Sequence, residues 1–150
     1  MNRQRGKSVA GVLTPGNLPY RMRLLVQAMT RHFQDLLHEY DITPLHWGVL
    51  SCLWREDGQA TQAIAQTLEQ LGGTLTVGID AMERRGLVKR KRDKVDGRIS
   101  RVWLTKKGRA MEGTVVPKVE EFVRRLFGCF SEKEYGELSE LVDRLREHLG

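Results

Sequence analysis

The sequence predicts a mainly α-helical chain carrying one small β-hairpin, and three observations point there. Apolar residues recur at spacings of three and four over most of the 150 residues, the period of amphipathic helices. Two short segments rich in β-branched residues, Leu87–Arg92 and Ile99–Leu104, flank a polar loop with Asp96-Gly97, a hairpin turn signal. Just ahead of them stands Gly86, where a glycine past the last turn ends a helix. A short helix, a tight stop and a basic hairpin predict a winged helix-turn-helix, whose helix suits a DNA major groove.

The elements follow in order. Residues 1–17, rich in Gly, Ser and Arg, are expected to form a mobile arm. Asn17-Leu18-Pro19 reads as a helix start, since Pro is tolerated in a first turn. Met22, Leu25, Met29, Phe33, Leu36 and Tyr40 then mark the apolar face of a long helix over 18–40. Thr43 and Pro44 suit the cap and first residue of the next helix, with Leu45, Val49, Leu50 and Leu53 inward. Thr61 is expected to cap a third helix, with Ile64, Ala65 and Leu68 inward. Leu71-Gly72-Gly73 reads as the turn of a helix-turn-helix, which puts the recognition helix at Thr74–Arg85, with Leu75, Ile79 and Met82 inward. After the hairpin, Thr105 caps a long helix that Pro117 is expected to kink. Ser131 with Glu134 is a capping box opening the last helix.

Charge singles out the same region. From Glu83 to Arg109 stand twelve Lys or Arg against three Asp or Glu, a balance of +9 in a chain of +6, so the remainder sums to −3. Concentrated positive charge is what a phosphate-binding surface needs; the competing reading is a solvated face. No apolar run approaches the roughly 20 residues of a membrane span, and two cysteines, Cys52 and Cys129, make no disulfide framework. A cytoplasmic protein without a membrane partner is the expectation. No histidine pair at i, i+4 and no Cys-x-x-Cys occurs, so no metal is expected. A Gly-rich phosphate loop, a nucleophile motif and a carboxylate pair with a base are all missing, so neither catalysis nor a cofactor is expected. Cys52, among Val49, Leu50 and Leu53, reads as a buried apolar residue.

Asp80-Ala-Met-Glu-Arg-Arg-Gly-Leu-Val88, then Asp93, Asp96-Gly-Arg98 and Val102-Trp-Leu-Thr-Lys-Lys-Gly108, resemble the MarR family of bacterial regulators. That family's pattern is roughly D-x-L-E-x-x-G-L-V, a wing tip with D-x-R, then V-x-L-T-x-x-G. Thr43-Pro44, Trp47 through Leu53 and Thr61 through Leu68 fit its two preceding helices. The resemblance implies a winged helix-turn-helix lobe over 43–105 between dimerisation helices at 18–40 and 106–149. It also implies a homodimer on a pseudo-palindromic operator in double-stranded DNA.

Candidate DNA-binding residues follow. On the recognition helix, the face opposite Leu75, Ile79 and Met82 carries Thr74, Thr76, Val77, Asp80 and Arg84. Thr hydroxyls can bond bases or phosphates, and Thr and Val methyls can meet thymine methyls. Thr61 and Gln62 join them from the helix before. Lys89, Arg90, Lys94 and Arg101 are phosphate candidates, each also readable as a solvated charge. The resemblance makes Arg98 a minor-groove arginine and Asp96 its acidic partner. Where many family members carry Arg or Asn, this chain has Val77 and Gly78, which removes a bidentate base contact worth ~1–3 kcal/mol of discrimination. Asp80 reads as structural, because phosphates repel an unpaired carboxylate.

Similar proteins bind small phenolic or aromatic anions beside the DNA-binding lobe. By that resemblance Tyr20, Arg23, His46 and Trp47 are the ligand candidates, the plain alternative being that Trp47 is core and Arg23 surface. The predicted function is thus a sequence-specific dimeric repressor released by a small aromatic or phenolic ligand. The alternative is a winged-helix protein-interaction module using its basic face on an acidic partner protein.

Overall fold

The computed structural model of the chain describes residues 16–150. The arm expected over residues 1–17 falls, for residues 1–15, outside the described residues. The chain divides into two compact units, one ending at Pro44 and the other running from Leu45 to Gly150.

The first unit is built on α1 (Leu18–His38). Asn17 caps it as expected, its side-chain oxygen accepting the Tyr20 N–H at 2.9 Å. The helix stops on a left-handed residue, Asp41 (φ 55°), with the Ile42 N–H returning to the Leu37 carbonyl. Leu37 and Ile42 are buried, whereas Leu18, Leu24, Leu25 and Val26 stay exposed.

The second unit carries α2 (Pro44–Arg55, begun by the last residue of the first), β1 (Gln59–Ala60), α3 (Thr61–Thr67), α4 (Gly72–Arg84), β2 (Val88–Arg92) and β3 (Ser100–Leu104). Its core is drawn from α2, α3, α4 and the two longer strands: Val49, Leu50 and Leu53, Ile64, Leu75, Ile79 and Met82, then Val88 and Val102. The sheet is antiparallel in the order β1-β3-β2, with Lys89 opposite Trp103 and Arg90 opposite Val102. The two-residue β1, pairing Gln59 with Val102, was not expected from the sequence. Asp57 anchors the bend before it: one carboxylate oxygen accepts the Gly58 and Leu104 N–H groups, and the other accepts Arg109.

Three boundaries differ from expectation. Ala60 is the cap of α3, and Thr61 is its first residue, with its hydroxyl on the Ser100 carbonyl at 3.2 Å. Gly72 and Gly73, expected in the turn, form the first turn of α4. The turn lies earlier because Glu69 (φ 51°) takes the left-handed conformation, and the Gln70 N–H closes back on the Ala65 carbonyl. The helix after the hairpin is divided into α5 (Lys106–Ala110) and α6 (Glu112–Phe127) at Met111, not at Pro117, which lies within α6. Met111 keeps right-handed helical angles, so the division is slight. Thr105 caps α5 as expected, and Ser131 and Glu134 form the capping box of α7 (Glu132–Leu149). No residue of α7 is buried.

Candidate nucleic-acid interface

The C-terminal end of α4 is what aims the wing. Gly86 (φ 69°) sits just past the cap, its N–H on the Glu83 carbonyl, while the Leu87 N–H returns to Met82. This closure needs a left-handed residue, which glycine supplies without a Cβ clash. β2 therefore departs directly from the helix end. The Glu83 carboxylate accepts the Arg90 backbone N–H at 3.0 Å and, with Asp80, its guanidinium. The backbone N–H and then the side chain of Arg90 hold the Glu83 carboxyl below its ordinary range.

This geometry separates the wing's cations into two classes. Arg90 belongs to the face that looks toward α4, with Val88 and Val102, and is engaged by Asp80 and Glu83. The expectation of Arg90 as a phosphate ligand is thereby redirected: the structure gives it a tie between helix and strand. Asp80 has the structural partner that its charge required. Lys89 and Lys91 alternate onto the opposite face beside Trp103 and are exposed. Lys91 was missed in the sequence, although period-two alternation from Lys89 could have found it. Arg101 donates to Asp93 and, at 3.0 Å, to the Gly58 carbonyl, so it braces the wing against the β1 bend.

The tip is shaped by two aspartates. The Asp93 carboxylate accepts the Asp96 and Val95 N–H groups at 2.9 and 2.8 Å. The Asp96 N–H first, then the Arg101 guanidinium and the Val95 N–H, bring the Asp93 carboxyl down to about 2. Asp96 takes the backbone N–H and the guanidinium of Arg98 at 3.0–3.1 Å. Arg98 remains 91% exposed in its side chain, held in direction but open to solvent. Gly97 has no positive φ, yet the turn expected at Asp96-Gly97 is present: the Ile99 N–H closes on the Asp96 carbonyl at 2.9 Å, and the side-chain bonds of Asp93 and Asp96 brace it. Lys94 is exposed beside it.

Thr61, Gln62, Thr76 and Arg98, separated by up to 37 positions in the chain, line one groove of about 710 Å³ between α3, the start of α4 and the wing. On α4 itself Thr74, Val77 and Arg84 are exposed. The Thr76 hydroxyl donates to the Gly72 carbonyl one turn back, at 2.8 Å. Gly78 is buried, and a Cβ there would lie 2.6 Å from the Leu45 side chain. Position 78 is therefore a close approach to α2, and the base contact expected to be lost there was never available to it.

The ligand candidates fall in both units. In α1 the Arg23 guanidinium lies 4.9 Å from the Tyr20 ring centroid, within cation–π range. In α2 His46 is buried, and burial followed by the Arg85 charge keeps its imidazole below the ordinary value of 6.5. Trp47 is half-buried and meets Trp54 edge-on at 5.7 Å, and the Trp54 indole N–H reaches the Gly108 carbonyl. Cys52 is buried, and burial raises its thiol, while Cys129 is exposed. Among the described residues no helix is long and apolar enough to cross a membrane, and no His, Cys, Asp and Glu group could hold a metal.

Comparison with known proteins agrees with this geometry. A profile of the MarR family matches residues 42–100. The transcriptional regulator HosA of Escherichia coli O111:H- is 32% identical over 113 residues, covering 73% of this chain and 82% of that one. The HTH-type transcriptional regulator TtmR of Methylorubrum extorquens is 36% identical over 86 residues, 57% of this chain. The matched part spans 44% of TtmR, less than half its length. The fold is shared with Staphylococcus aureus MepR, solved in a complex with DNA, at a TM-score of 0.82 and 23% identity, covering 87% of this chain and 97% of that one.

Proposed function

The chain belongs to the MarR family of transcriptional regulators, and from that premise we propose that it works as a homodimeric repressor. In this reading the dimer occupies a pseudo-palindromic operator in the cytoplasm and blocks a promoter. A small aromatic or phenolic ligand releases it by changing the separation of the two recognition helices. Residues 43–105 act as the DNA-binding lobe, and 18–40 with 106–149 as the dimerisation helices.

The observation that carries the dimer is the state of α7. It buries none of its 18 residues and leaves Tyr135, Leu141, Val142, Leu145 and Leu149 exposed. A contiguous apolar face of this kind is a protein-contact surface, and a two-fold axis lets one such face serve both chains. The exposed apolar residues of α1 support the same reading. For the lobe, support comes from the groove that gathers Thr61, Gln62, Thr76 and Arg98, and from Lys89 and Lys94, exposed on the wing. Thr74, Val77 and Arg84 serve as recognition-helix contacts. Asp96 and Arg101 act by shaping the wing that carries Arg98.

An aromatic anion is the ligand class that Arg23 with Tyr20, and Trp47 with a neutral His46, suit best. Sedimentation of the free chain at micromolar concentration tests the dimer: a two-chain species is expected, and a folded monomer that binds one half-site overturns it. Titration with benzoate tests release, with weaker duplex binding and quenched Trp emission as the expected result. Trp47→Phe with unchanged benzoate response would remove Trp47 from the site.

A further inference from the structure

The outward face of α4 is poor in groups that read bases through hydrogen bonds. Opposite Leu75, Ile79 and Met82 lie Gly73, Val77, Asp80 and Arg84, one helical turn apart in succession. Val77 is 67% exposed and stands at the centre of that face. Its flanks are Thr74 and Thr76, both exposed. The Thr76 hydroxyl proton is already committed to the Gly72 carbonyl. Asp80, the carboxylate that could accept from a cytosine amino group, is held by Arg90 instead. Arg84 lies two turns beyond Val77, about 10 Å along the axis, whereas recognition helices present their N-terminal residues to base edges. Around Gly72 and Gly73 a Cβ would meet nothing within 4 Å, so the start of the helix leaves room for a close neighbour.

In a major groove one base-edge group is apolar, the thymine C5-methyl. An exposed valine offers no donor or acceptor to guanine, adenine or cytosine, but it can remove a methyl group from water, and the methyls of the flanking threonines can join it. We propose that this chain reads its operator through pyrimidine C5-methyl groups, with Val77 as the central contact and thymine in each half-site beneath it. This rests on the DNA-binding regulator reading above and names the class of sequence that such a regulator prefers. Exposed cations on the wing, Lys89 and Lys91 on its far face and Lys94 near its tip, add the positive charge that duplex DNA calls for.

The test uses the full chain and duplexes selected from a random pool. The highest-affinity duplex is remade with deoxyuridine for every thymine of the core, which deletes the C5-methyl and leaves all hydrogen-bonding groups in place. Affinity at fixed salt is expected to fall about fourfold per contacted methyl, the size of burying one such group, and roughly 15-fold for one contact in each half-site. Val77→Ala, an exposed position that leaves the core intact, is expected to bring the thymine-over-uracil ratio toward one. Equal binding of the two duplexes overturns the proposal. So does a Val77→Ala ratio equal to that of the unaltered chain, which assigns the methyl preference to DNA flexibility. Failure of the unaltered chain to enrich any duplex is a different outcome and overturns the regulator reading itself.

Discussion

Gly58 decides how closely the bend after α2 can approach the sheet. Its φ is 73°, and a Cβ there would fall 2.4 Å from the Trp103 ring. Both the left-handed backbone and the contact penalise a side chain, so Gly58→Ala is expected to lower unfolding free energy by about 2 kcal/mol or more. Gly97→Ala, with no positive φ and open space around it, should stay within about 0.5 kcal/mol. Denaturant midpoints of the two variants check this, and a reversed order refutes the packing described around Trp103. His46 supplies a pH effect. Burial, then the Arg85 charge, depress its folded value, so the unfolded chain binds a proton that the folded chain resists. The stabilisation is complete above about 6.5, the unfolded value, and is lost as pH falls toward the lowered folded value. The thermal midpoint is therefore expected to decline from about pH 7 to about pH 5. His46→Gln should flatten that decline, and an unchanged slope in the variant removes His46 as its source.

At the scale of elements, the wing is joined to α4 by side chains that the sequence pattern could not pair. Arg90 and Glu83 are seven positions apart, and only the closure at Gly86 brings them to 3.0 Å. Arg90→Ala is expected to destabilise the chain by about 1–2 kcal/mol, because it leaves two carboxylates without their shared cation. Lys91→Ala should leave stability unchanged and reduce the salt slope of duplex binding by about one. If the two variants exchange these effects, the division of the wing into a tied and an open face is wrong. The recognition helix and hairpin were legible because Leu75, Ile79, Met82 and Gly86 follow local rules of period and termination. β1 was not, since two residues show no period and Gln59-Ala60 is a strand only through its partners on β3. Gly72-Gly73 misled for a related reason: glycine marks turns in general, but here Glu69 took the left-handed position and freed both glycines for the helix. The candidate site was legible as residue types. Which cations stand open and which are tied depended on Asp57, Asp80 and Asp93, acids that no local motif assigns to them.

For the whole molecule the central claim is two chains on one operator. The exposed apolar residues of α7 carry no buried counterpart within the helix itself, so a charge placed among them should act on assembly before it acts on folding. Leu145→Glu is expected to give a folded monomer with weakened duplex binding. A variant that remains dimeric moves the interface elsewhere. The most direct measurement is sedimentation of the chain with its selected duplex across a salt series. The account predicts two chains per duplex, half-sites roughly 10 base pairs apart centre to centre, and log affinity falling linearly with log salt at about 0.9 per phosphate contacted. One chain per duplex, or an affinity indifferent to both salt and sequence, would contradict it.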